Sequence, residues 1–116
     1  MNILFILNDP PYGTERSYNA LRLARNLLVK NQGEVRVFLM ADAEACAKAG
    51  QKVPQGYYNI GDMLGAVARR NGEIGVCGTC MDARGIGDTD LVQGALRGTL
   101  DELTEWTAWA DKVLVF

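Results

Sequence analysis

Ile3-Leu4-Phe5-Ile6-Leu7, closed at once by Asn8-Asp9-Pro10-Pro11, decides the fold class of this chain. An unbroken apolar run of this length suits a β-strand buried on both faces, the condition of strands in a parallel sheet packed between helices. Proline offers no ladder N–H, and Asn and Asp favour turns, so the strand stops there. From about Thr14 to Lys30 the apolar spacing becomes helical: Ala20, Leu21, Ala24, Leu27 and Leu28 share one face. Val35-Arg36-Val37-Phe38-Leu39-Met40 then supplies a second strand. Strand, helix, strand is the unit that builds parallel sheets through right-handed crossovers.

The alternation continues outward from that unit. Asp42 is placed to cap a short alanine-rich helix ending near Gly50, and Gly50 to Tyr58 reads as a loop. Asn59 is an N-cap for a helix carrying Ile60, Met63, Leu64, Val67 and Ala68 on one face, with Gly72 at the left-handed position after its end. Ile74 to Cys77 makes a third strand, and Leu91-Val92-Gln93-Gly94-Ala95 reads as a short fourth. Thr99-Leu100-Asp101-Glu102 is a capping box for a last helix faced by Leu100, Leu103, Trp106 and Ala110. Lys112 to Phe116 closes the chain as a strand. The expectation is one α/β domain over residues 1–116, three-layered, with a mainly parallel sheet.

Composition narrows the function classes. With 116 residues, 48% apolar and 22% charged, the chain suits one globular domain rather than a disordered segment. A net charge of -2 gives no attraction to phosphate backbones, which argues against a nucleic-acid partner. No run reaches the roughly 18 apolar residues of a membrane helix. Met1 to Leu7 carries no basic region before a small-residue cleavage site, so no membrane partner and a cytoplasmic location are expected. Three cysteines are too few and too uneven for a secreted disulfide framework and fit a reducing compartment. Histidine is absent, which removes Ser-His, Cys-His and HExxH constellations from a single chain.

The chemistry concentrates in Val76-Cys77-Gly78-Thr79-Cys80-Met81-Asp82-Ala83-Arg84-Gly85-Ile86. Cys77 ends the third strand, and the carboxyl edge of an open sheet is where ligands bind. A helical turn from about Thr79 would put Cys80 near unpaired backbone N–H groups, and Arg84, four residues on, adds positive charge on the same face. Asp82 opposes thiolate formation. Four readings compete: two buried small hydrophobes, a zinc site, a thioredoxin-like redox pair, and a nucleophilic thiol that accepts sulfur or a disulfide partner. Zinc wants four ligands where the chain offers one Cys-x-x-Cys and the distant Cys46, and a thioredoxin-like pair opens a long helix after the first strand. No metal is assigned.

Cys46, between Ala45 and Ala47, reads as packing. The loop Asn8 to Gly13 would wall the thiol crevice if the first and third strands were neighbours, and is otherwise a plain turn. Gly85-Ile86-Gly87 lacks the third glycine and preceding strand of a dinucleotide fingerprint, and no Walker A pattern occurs, so no cofactor is expected. Tyr58 is placed either for ligand or subunit contact or to staple onto Met63. Trp106 has core spacing, leaving Trp109 for a partner chain.

Pro10-Pro11-Tyr12-Gly13-Thr14-Glu15, Val37 to Asp42, Gly56-Tyr57-Tyr58-Asn59-Ile60, the Cys77 to Ile86 block and Ala110 to Phe116 together resemble the DsrE/DsrF-like family from end to end. The block Cys-x-Thr-Cys-x-Asp-x-Arg-Gly-Ile carries most of that likeness. What the resemblance implies is an α/β/α domain with a five-stranded parallel sheet, assembling into homotrimers or homohexamers with a thiol site near subunit boundaries. Members that work in sulfur relay hold a persulfide on one cysteine; counted back from the Arg-Gly pair, it falls at Cys77, with Cys80 as a second thiol.

The leading expectation is therefore a cytoplasmic sulfur-handling protein, a candidate persulfide carrier or sulfurtransferase. A thiolate at Cys77 or Cys80 would take sulfane sulfur from a donor protein and pass it to an acceptor protein. Arg84 would steady the anion, and Asn8, Tyr12, Thr79 and Asp82 would shape the crevice. An oligomeric binding or scaffold module and a dithiol-disulfide redox protein are the alternatives.

Overall fold

β1 (Asn2–Leu7) pairs with a strand on each side, as its two-sided apolar run requires, in a computed structural model that describes residues 1–116. The other strands are β2 (Glu34–Leu39), β3 (Glu73–Cys77), β4 (Ala95–Gly98) and β5 (Lys112–Val115). They lie in the order β4-β3-β2-β1-β5, and every neighbouring pair is parallel. The helices are α1 (Arg16–Val29), α2 (Ile60–Arg69), α3 (Gly78–Ala83) and α4 (Leu100–Trp109), with a 3-10 helix over Ala41–Ala47 and a single 3-10 turn at Asp88–Asp90. No helix is long and apolar enough to cross a membrane.

Crossover handedness distributes the helices. The chain steps from β1 to β2 to β3 in one direction, so right-handed crossovers put α1 and α2 on one face. It then returns from β4 past three strands to β5, which puts α4 on the opposite face. Strand residues alternate accordingly. Ile3, Phe5, Leu7, Val35, Val37, Leu39, Ile74 and Val76 point into the main core with Leu21 of α1 and Leu64 and Val67 of α2. Leu4 and Phe38 point the other way, onto Leu103 and Trp106 of α4, and Phe38 meets Trp106 edge-on at 6.0 Å.

The N-caps follow the sequence. Asn59 Oδ1 accepts the Asp62 N–H at 3.1 Å, and Thr99 Oγ1 accepts the Glu102 N–H at 3.1 Å. The Thr99 box is one-sided, because the Glu102 carboxylate turns down onto the sheet. There, a Cβ at Gly75 would lie 2.8 Å from Glu102 Oε1, and one at Gly98 2.6 Å.

Four expectations are corrected. The fourth strand is Ala95–Gly98, not Leu91 to Ala95: Leu91 makes an isolated antiparallel bridge with Lys48, and Gly94, at φ +94, interrupts the extended backbone before the strand. Asp42 caps nothing; the N-cap of the 3-10 helix is Met40, without a side-chain bond, and Asp42 pairs with Arg84. The left-handed residue after α2 is Asn71, at φ 68. Gly72 is needed because a Cβ there would meet Val67 Cγ1 at 2.4 Å. Finally, β2 lies between β1 and β3, so the loop after β1 does not adjoin the end of β3.

Candidate functional site

Cys77 is the last residue of β3 and the N-cap of α3. Its Sγ accepts the Cys80 N–H at 3.4 Å and lies 3.3 Å from Thr79 Oγ1. The sequence suggests a helical turn from about Thr79 with Cys80 as the thiol near its free N–H groups; the helix starts at Gly78, and the cap position falls to Cys77. Gly78 lets the turn sit against β4, since a Cβ there would fall 2.9 Å from Arg97 Nη1 and 3.1 Å from the Gly98 carbonyl oxygen. α3 ends on Gly85, at φ +67, with the Ile86 N–H donating back to the Met81 carbonyl at 3.0 Å. The Arg-Gly-Ile triplet is thus the stop signal of the short helix that carries Cys80.

The neighbouring strand supplies the other half of the site. Just past β2, the Ala41 N–H donates to Cys80 Sγ at 3.2 Å. Ala41 does so at φ 52, in the left-handed region that costs a residue with a Cβ about 1–2 kcal/mol.

The two thiols are driven apart in acidity. Burial pushes the Cys77 thiol up, but hydrogen bonds from the Cys80 thiol, the Thr79 hydroxyl and the backbone N–H groups of Cys80 and Thr79 together bring it below the usual cysteine range. Burial, donation to Cys77 and the negative charge on Cys77 raise Cys80 against the opposing pull of the Ala41 N–H and Arg84. Of the two, Cys77 is the thiol that the surroundings favour to lose its proton first, with Cys80 holding its own. Cys46, fully buried, is pushed by burial up to about 12.

Cys77 and Cys80 both line a cavity of about 510 Å³ whose other walls include Phe38, Met40, Leu100 and Leu103. Thr79 and Asp82 line it too, as the sequence suggests. Arg84 lies beside it: Nη1 donates to the Cys80 carbonyl at 3.2 Å, Nη2 to Asp42 Oδ1 at 2.8 Å, and Nε sits 3.4 Å from Glu44 Oε1.

Asn8 and Tyr12 are not part of this wall. The Asn8 N–H donates to the Phe116 carbonyl at 2.9 Å, tying β1 to the chain end beyond β5. The Tyr12 hydroxyl donates to the Tyr58 carbonyl at 3.2 Å and accepts the Ile60 N–H at 3.2 Å. It pins the first loop to α2, while Tyr58 stacks on Tyr18 at 4.2 Å.

Arg97 is the residue that sequence reading misses. It donates to the Gly78 carbonyl at 3.1 Å, to Asp82 Oδ1 at 3.1 Å and to Asp88 Oδ1 at 2.6 Å, bracing the thiol turn against β4. Its signal is register: once β4 begins at Ala95, Val76 pairs with Arg97 and Cys77 with Gly98. A second groove of about 550 Å³, lined by Lys48, Gly65 and Arg69 among others, contains no thiol. No group of three or more Cys, Asp or Glu side chains is placed to hold a metal ion.

Comparison with known proteins agrees with this architecture. The chain is 44% identical over 115 residues to protein YchN of Escherichia coli strain K12, covering 98% of this chain and 97% of that one. It is 34% identical over 116 residues, at full coverage of both, to an uncharacterized protein of Methanocaldococcus jannaschii. The crystal structure of E. coli YchN superimposes with a TM-score of 0.94 at 43% identity, covering 100% of this chain and 99% of that one. A Methanobacterium thermoautotrophicum protein of unknown function shares the fold, at a TM-score of 0.77, full coverage of both chains and 10% identity. The sequence model of the DsrE/DsrF-like family matches residues 1–116. Matched by the family model along its whole length and 44% identical to YchN, the chain belongs to the DsrE/DsrF-like family.

Proposed function

We propose that this chain is a sulfur-handling protein in which Cys77 carries sulfane sulfur as a persulfide. The supporting observation is the set of donors gathered on Cys77 Sγ, at the mouth of a cavity beyond the carboxyl end of a central strand. In the transfer, the Cys77 thiolate attacks the outer sulfur of a donor persulfide. The donor's sulfur–sulfur bond breaks, its inner sulfur leaves as a thiolate, and Cys77 holds the new sulfur–sulfur bond. An acceptor thiolate reverses the exchange. Sulfur-donor and sulfur-acceptor proteins are the partners this requires, and a reducing, cytoplasmic compartment keeps Cys77 available.

Apolar side chains exposed at the two sheet edges and at the start of α4 favour assembly of identical chains, as a trimer or hexamer, as part of the same proposal. Val115, Leu96 and Leu100 are 65%, 72% and 75% exposed. Incubation with a cysteine desulfurase and free cysteine, followed by intact mass, tests the carrier role. The expected outcome is a gain of sulfur on Cys80→Ser, in which no second thiol can discharge it, that the further change Cys77→Ser abolishes; a Cys80→Ser variant that gains none overturns the proposal.

A further inference from the structure

We propose that Cys80 is a resolving thiol switched on by derivatisation of Cys77, so that the site discharges the sulfur held on Cys77 as hydrosulfide and closes a Cys77–Cys80 disulfide. The cargo in this proposal rests on the carrier reading above; the resolving step does not.

Three observations carry it. Cys77 and Cys80 occupy the cap and third positions of one helical turn, with the Cys80 N–H already on Cys77 Sγ. Residues three apart on a helix have Cα atoms about 5 Å apart, inside the window for a disulfide. Next, a backbone donor from a separate element is aimed at Cys80 Sγ by a residue held in the left-handed region, Ala41 at φ 52. A neutral thiol gains little from such a donor, whereas a thiolate gains a charge-assisted hydrogen bond. Lastly, the two thiols share one cavity, and the third cysteine, Cys46, is fully buried and outside the exchange.

The arrangement is sequential by construction. While Cys77 is anionic, its charge and its acceptance of the Cys80 S–H hold the proton on Cys80. Once Cys77 is bonded to another sulfur, its own sulfur atom is no longer an anion: in a mixed disulfide no charge remains beside Cys80, and in a persulfide the charge lies one bond further out, on the outer sulfur that takes the Cys80 proton. The Ala41 N–H and Arg84 then remain to favour the Cys80 thiolate.

That thiolate attacks the inner sulfur of the Cys77 persulfide. The bond to the outer sulfur breaks, its electron pair leaves with the outer sulfur, and the proton given up by Cys80 ends there, making hydrosulfide. The sulfane sulfur is reduced while the two cysteines are oxidised to the disulfide. A dithiol reductant returns the pair to the starting state.

An aryl disulfide, 5,5′-dithiobis(2-nitrobenzoate), tests resolution without any sulfur cargo. Wild type is expected to release two aryl thiolates per chain and to end with Cys77 and Cys80 joined in a non-reduced peptide map. Cys80→Ser is expected to release one and keep the mixed disulfide on Cys77. Wild type that stops at the mixed disulfide overturns the proposal.

Arming is read separately, from mass-mapped alkylation of Cys80 by iodoacetamide at neutral pH. In Cys77→Ala, checked for fold by circular dichroism, the Cys80 rate is expected to rise about tenfold over wild type, the equivalent of one pKa unit. An equal or slower rate overturns it, and Cys77→Ser repeats the measurement if the alanine variant does not fold. If the aryl disulfide resolves but the desulfurase loads no sulfur onto Cys80→Ser, where it could not be discharged, the carrier reading fails and resolution stands. If sulfur loads and wild type releases no more hydrosulfide than Cys80→Ser, resolution fails and the carrier reading stands.

Discussion

Cys77 receives a side-chain donor from Thr79 and backbone donors from α3, and the balance of these against burial sets the working pH of the thiol. Its folded value is depressed, so the thiolate is present at lower pH than in a free cysteine and is lost only as pH falls through that depressed value. Thr79→Val removes the hydroxyl while keeping the shape, and the midpoint of the pH–alkylation curve for Cys77 is expected to move up. An unchanged midpoint would mean that the hydroxyl contributes nothing. The Cys-x-x-Cys spacing and the Arg84 charge are legible in the sequence because they are local. Ala41 is not: nothing in Met40-Ala41-Asp42 announces a left-handed alanine, which becomes visible only when β2 and β3 are side by side.

Glu44 is a second residue that local pattern does not disclose. Its side chain is 1% exposed, Oε1 faces Arg84, and Oε2 has no hydrogen-bond partner. Burial raises its pKa, against the pull of Arg84 and with the push of Asp42. A raised folded value means that the native state favours the protonated acid. Its contribution is therefore best at low pH and is lost as pH rises through the folded value. Glu44→Gln is expected to stabilise the protein at neutral pH by about 1 kcal/mol, because a neutral amide avoids the desolvation cost of a buried carboxylate. That gain is expected to vanish on acidification, when the wild-type acid is itself neutral. Denaturant unfolding at the two pH values measures both.

Among the elements, those with their own punctuation are readable. α2 and α4 begin at caps that any Asn or Thr before an apolar stripe would suggest, and β1 ends at its prolines. β4 is misplaced because its residues, Ala-Leu-Arg-Gly, carry little strand signal, and its position depends on Gly94 and on pairing with β3. That pairing holds the thiol turn through Gly78 and Arg97. Gly78→Ala would put a Cβ within 2.9 Å of the Arg97 guanidinium and 3.1 Å of the Gly98 carbonyl, so β4 or the turn must shift. The expected cost is about 1–3 kcal/mol, typical of overpacking, together with slower Cys77 alkylation as its donors lose alignment. Stability loss with unchanged thiol reactivity would show that β4 braces the fold alone and not the site.

For the whole molecule, hydrophobic patterning gives the number and type of layers but not which strands are neighbours. Buried strands are alike in apolar content, so the sequence offers no means of knowing that β2 separates β1 from β3; Asn8 and Tyr12 are assigned to the crevice for that reason. The same topology leaves one face thinly covered, since a single return crossover brings only α4 to it. Val113 and Val115 of the edge strand β5 lie on that face beside Leu4 and Ile6 of β1, and unlike the Leu4 cluster under α4 they stay exposed. An exposed edge strand bearing valines is a surface that chains bury by association unless it is blunted with charge. Val115→Lys places a cation there without touching the main core. Its unfolding free energy is expected to stay within about 0.5 kcal/mol of wild type if the chain is monomeric, as for an ordinary surface change. If identical chains associate through this face, light scattering is expected to show a smaller particle than wild type, with circular dichroism unchanged. Equal particle size for both proteins would remove this face from any assembly.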